Sequence, residues 1–139
     1  MKLEDQVCTL EQSIRLKELG VKQQSLACYI GNELEFFIKP FYDWAEQKGM
    51  NALAAFTVAE LGLLLPKGLG GNDGHNWSFY HRHCWKGESV GYSAHGTPSI
   101  EQPWYKTEAE SRADMLIQLL ESGRITAEHC NELLKNQRP

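Results

Sequence analysis

The 139-residue sequence predicts an α+β fold: about four mainly antiparallel strands in two hairpins, with helices packed on one face, in the order α-β-β-α-β-β-α-α. Three observations carry this expectation. The aromatic residues fall into two blocks, six between Tyr29 and Trp44 and seven between Trp77 and Tyr105, with only Phe56 outside them. Aromatic side chains favour strands, so two sheet-forming regions are expected, separated and flanked by helices. Next, the pattern Thr-x-x-Gln/Glu occurs at Thr9–Gln12, Thr57–Glu60 and Thr107–Glu110, each ahead of an apolar run, which is the capping-box signature of a helix start. Finally, residues 75–85 alternate between an aromatic and a mostly polar face, the period of a half-buried strand. The length fits a single domain over residues 1–139.

Taken in order, the first helix runs from Thr9 to Leu19 and stops at Gly20, where a glycine can take the left-handed conformation. Leu10 and Ile14 lie on one side of it and Leu16 and Leu19 nearly opposite, so it should touch the protein on more than one side. Leu26–Ile38 reads as a hairpin turning at Gly31-Asn32 and ending at Lys39-Pro40. Residues 41–55 give no clear signal. Thr57 starts the next helix, with Phe56 and Leu61 placed as a hydrophobic staple and Pro66 ending it after Leu65. Gly68–Gly74 reads as a flexible connection. It lacks the Gly-Lys-Ser/Thr tail and the following helix that a phosphate-cradling loop needs. Residues 96–106 read as a loop held extended by Pro98 and Pro103 and anchored by Trp104 and Tyr105. The helix from Thr107 to Glu121 presents Ala109, Ala113, Met115, Leu116, Ile117, Leu119 and Leu120 in one broad arc. Burying its five larger apolar side chains contributes about 8–15 kcal/mol before entropy. Gly123 stops it, Thr126 caps a last helix through Leu134, and the terminal NQRP should fray.

The stretch from His75 to His95 holds the candidate chemistry. One face carries Trp77, Phe79, His81, His83 and Trp85; Lys86–Ser89 reads as a turn; a second strand follows over Val90–Ala94. His81 and His83 share a face two residues apart, the way a strand presents two imidazoles to a metal ion. His75, Cys84 or His95 are the candidates to complete such a site, and zinc is the ion it would suit. The competing expectation is that both histidines edge an aromatic core face.

Several classes are set aside by composition and spacing. A net charge of −4 argues against a general nucleic-acid or membrane-surface binder. Residues 9–30 invite a helix-turn-helix reading with Lys22, Gln23, Gln24 and Ser25 on a recognition helix, but Cys28–Ile30 before Gly31 looks like strand and turn. Gly91–His95 approaches the G-x-S-x-G nucleophile elbow, yet it lacks the last glycine and the helix. Cys8, Cys28, Cys84 and Cys130 are far apart, which fits reduced thiols in a cytoplasmic protein. The start, MKLEDQVC, has no apolar signal region, and Ala52–Leu65 is too short to span a bilayer.

Three blocks, TLEQSIRLKELGVKQQSLACYI, AFTVAELGLLLP and EAESRADMLIQLLESGRI, resemble small uncharacterised proteins carried by gut anaerobes and their prophages. The resemblance covers about half the chain. It implies an accessory protein of mobile-element type and no activity, so it assigns no catalytic residue.

No nucleophile with its base, no paired-carboxylate motif and no phosphate loop is visible, which points to a non-enzymatic protein-interaction module with a protein partner or a second copy. Its contact surface would be the exposed sheet face or the loop at Trp104-Tyr105. The alternative is a metal-dependent hydrolase built on His81 and His83.

Overall fold

The computed structural model of the protein describes residues 2–36, 52–70, 76–94 and 97–136. Expectations for residues 37–51, 71–75, 95–96 and 137–139 lie outside them.

Helix starts follow the sequence closely, because capping is a local interaction. Helix α1 (Leu10–Glu18) begins with a complete capping box: the Thr9 hydroxyl accepts from the Gln12 N–H at 3.2 Å and the Thr9 N–H donates to Gln12 Oε1 at 3.0 Å. Helix α2 (Val58–Leu64) has the same box between Thr57 and Glu60, with Phe56 and Leu61 both fully buried. Helix α3 (Glu108–Glu121) forms only half of its expected box. Thr107 accepts from the Glu110 N–H, but the reciprocal bond is missing among the described residues. Helix α4 (Ala127–Lys135) is capped by Thr126. A short 3₁₀ segment, Leu3–Gln6, precedes α1 and packs on α3.

The α+β class stands as expected and the element order roughly so, but the described residues form seven strands in two antiparallel sheets rather than about four in one. The first hairpin, β1 (Ala27–Ile30) with β2 (Glu33–Phe36), turns at Gly31 and gains β3 (Ala52–Ala54) on the other edge of β1. The second hairpin, β5 (Asn76–Cys84) with β6 (Gly87–Ala94), is flanked by β4 (Gly68–Gly70) and β7 (Thr97–Ile100). Both flanking strands correct the sequence reading. Gly68–Gly70 pairs with β5 instead of forming a flexible connection, and Thr97–Ile100 is a strand instead of a loop. Pro98 is tolerated because β7 is an edge, where a missing N–H breaks no ladder on its open side.

The turn of the second hairpin is also tighter than expected. Cys84 pairs with Gly87, so the turn is Trp85-Lys86 alone and Glu88 belongs to β6.

Helix α3 lies across β6, with α2 and α1 beside it. The main core gathers Leu16, Phe56, Leu61, Leu64, Val90, Tyr92, Met115, Leu116 and Leu119, all fully buried. Tyr92 reaches through it to donate to the Pro66 carbonyl at 2.7 Å.

The helix-turn-helix alternative fails locally. Residues 21–25 form no helix, and Gln23, Gln24 and Ser25 are buried. Gln23 accepts from the Ala54 N–H and donates to the Val21 carbonyl, and Gln24 donates to the Leu134 carbonyl, so neither amide is offered to a groove. No helix among the described residues is long and apolar enough to cross a membrane.

Candidate metal centre at the hairpin–helix junction

Residues paired across an antiparallel ladder point to the same face. His83 stands opposite Glu88 and His81 opposite Val90. Val90 and Tyr92 are fully buried against α3, so His81, His83 and Glu88 continue the core-facing side of the sheet past the end of the core. There the chain entering α3 crosses the start of β6. Glu88 and Tyr105 exchange two backbone hydrogen bonds, Glu88 N–H to Tyr105 O at 2.8 Å and Tyr105 N–H to Glu88 O at 2.7 Å. Three residues later Glu108 opens α3 and faces the imidazole of His81.

Four side chains meet at this junction. Glu88 bridges both histidines, Oε2 to His81 Nε2 at 2.6 Å and Oε1 to His83 Nδ1 at 2.5 Å. Glu108 brings Oε1 to 3.3 Å from the same His81 nitrogen. The other Glu108 oxygen accepts from Arg112 Nε at 3.0 Å, one helical turn along. Arg112 is fixed in turn: its guanidinium lies 5.3 Å over the Phe79 ring and packs on Gly62 of α2, where a Cβ would come within 2.9 Å of Nη1. Glu88 is the most enclosed of the four ionisable groups nearest the junction, its side chain 15% exposed, whereas that of His83 is 73% exposed. Burial opposes ionisation of Glu88, but the hydrogen bonds from His81 and His83 outweigh it and hold the carboxyl below its ordinary value.

One ligand atom each from His81, Glu88 and Glu108 lies within 4.8 Å of the other two. A neutral imidazole nitrogen with two carboxylate oxygens suits a zinc-class divalent ion. His83, on the second Glu88 oxygen, fits the role of a partner that orients a ligating carboxylate. Arg112 does the same for Glu108.

Of the residues singled out in the sequence, His81 and His83 do converge, both on Glu88. Cys84 does not join them. It belongs to the opposite face, where its sulfur accepts from the Lys86 N–H at 3.4 Å. His75 and His95 lie outside the described residues. Glu88, Glu108 and Arg112 were missed: Glu88 reads as part of the turn, and Glu108 lies inside the Thr107–Glu110 capping box with nothing in the sequence to set it apart. A two-residue turn would have placed Glu88 opposite His83 from sequence alone.

A cavity of about 610 Å³ adjoins the junction, with Glu88 and Glu108 in its wall. On the other face of the sheet Arg82 is held between the rings of Tyr80 and Trp104, at 5.3 and 5.0 Å from their centroids. The hydroxyl of Tyr105 donates to the Asp114 carboxylate. All four cysteines are free thiols.

No family model, curated protein or solved structure matches the chain. No relative therefore brings a residue role to this junction.

Proposed function

We propose that the protein binds a divalent transition ion of the zinc class through His81, Glu88 and Glu108, with His83 and Arg112 orienting the two carboxylates. The observation that carries this reading is the meeting of one imidazole nitrogen and two carboxylates, contributed by β5, β6 and α3, within 4.8 Å. The ion would join the hairpin to the start of the principal core helix, adding a cross-link beside the paired Glu88–Tyr105 backbone bonds. Calorimetric titration of Zn²⁺ into untagged, chelator-treated protein should give one site per chain. His81→Ala and Glu108→Gln should each weaken it about tenfold or more, in line with the loss of a ligand or its support. Cys84→Ala should leave it unchanged. Absence of binding below millimolar Zn²⁺, or equal binding by His81→Ala, overturns the reading.

A second reading, a protein-interaction module, draws on the tip of the same hairpin. Trp85 is 90% exposed there, beside Lys86, and a bare indole at the end of a two-residue turn is a natural anchor for a protein surface. Sedimentation velocity across a concentration series tests its homo-oligomeric form. Self-association abolished by Trp85→Ser supports it, and a monomer at every concentration rejects it.

A further inference from the structure

We infer that the ion site keeps one coordination position open to the adjoining cavity, and that the ion-loaded protein there takes a small ligand bearing a carboxylate-like oxygen donor. This rests on the metal reading above and adds to it what the metal is for.

Three protein ligands leave a tetrahedral zinc-class ion one ligand short, the pattern of sites that bind an exogenous molecule rather than of closed structural ones. Two of the three ligands, Glu88 and Glu108, also line the cavity of about 610 Å³, so an ion they held would sit at its wall. That volume suits a small molecule. The rest of the lining gives the ligand its character. Val58 and Ala59 supply short aliphatic surface, Thr57 and Thr107 are polar, and Lys106 contributes a cation to the same lining as Glu108.

Charge makes the binding conditional. Three carboxylates, Asp5, Glu88 and Glu108, line the cavity against Lys106 and against Arg112, which pairs with Glu108, a net of one negative charge that a divalent ion reverses. Without the ion an anion is repelled. With it, the anion gains a metal bond and a nearby ammonium. A short acyl carboxylate meets all the surfaces present: oxygen toward the ion and Lys106, carbon chain toward Val58 and Ala59.

Cobalt substitution tests this, because the visible spectrum of bound Co²⁺ reports its ligands. The probe is butyrate, a short acyl chain ending in a carboxylate. Titrated into the Co²⁺-loaded protein, it should change the spectrum saturably. Lys106→Ala should keep the Co²⁺ spectrum and weaken butyrate about tenfold, the size expected for losing one charged contact. A normal Co²⁺ spectrum that butyrate does not alter, or one altered equally in Lys106→Ala, overturns the inference and leaves the metal reading standing. Failure to observe any bound-Co²⁺ spectrum overturns both.

Discussion

Gly87 has φ +123°, a conformation costly for any residue with a Cβ, and such a Cβ would run into the Tyr105 carbonyl. That carbonyl is one half of the paired bonds joining β6 to the chain before α3. Gly87→Ala should therefore push the two segments apart, with backbone strain added to the clash. We expect a loss of about 2–4 kcal/mol, read from urea unfolding, together with weaker Zn²⁺ binding because Glu108 moves away from His81. A loss under about 1 kcal/mol would show that the segment yields freely. Gly62 plays a quieter part at the same scale: its lack of a side chain lets Arg112 lie against α2 while holding Glu108. Neither role could be seen in the sequence, where Gly87 reads as part of a turn and Gly62 lies within a helix pattern. What each one permits is set by a segment distant in the chain.

At the scale of elements, the helices were legible and the sheets only partly so. Thr9, Thr57, Thr107 and Thr126 each cap a helix, because a hydroxyl three residues from an N–H needs no tertiary structure to find it. The arc from Ala109 to Leu119 is buried as its spacing demands. The two central hairpins were legible from alternation. Strands β4 and β7 were not, since the glycines of Gly-Leu-Gly and the proline of Thr-Pro-Ser-Ile speak against strand, and both become strands by completing the ladders of β5 and β6. The candidate site followed the same division. The two imidazoles could be read from one strand, but Glu88 depends on the turn register and Glu108 on how α3 docks.

Across the whole molecule, three buried thiols set the response to alkali. Burial pushes Cys8, Cys28 and Cys130 from an ordinary 9.0 up to about 11. The folded protein thus holds these protons where the unfolded chain has released them. Their contribution is full below pH 9 and is lost as pH rises through about 11, and Tyr29, pushed up to about 12, adds a loss of the same sign further on. The urea midpoint of the reduced protein should fall across this window, with a shallower fall for Cys130→Ala. A midpoint unchanged to pH 11 would mean that the thiols are solvated.

The two ends of the chain are stitched together. Gln12 donates to the Glu110 carbonyl, Asn131 accepts from the Lys22 N–H and donates to the Gly20 carbonyl, and Gln24 donates to the Leu134 carbonyl, spans of 98 to 111 residues. During synthesis residues 20–24 are made about a hundred residues before Asn131 and Leu134. Residues 131–134 must therefore emerge before the Lys22 N–H, the Gly20 carbonyl and the Gln24 side chain gain these partners, and until then the three depend on water or a chaperone.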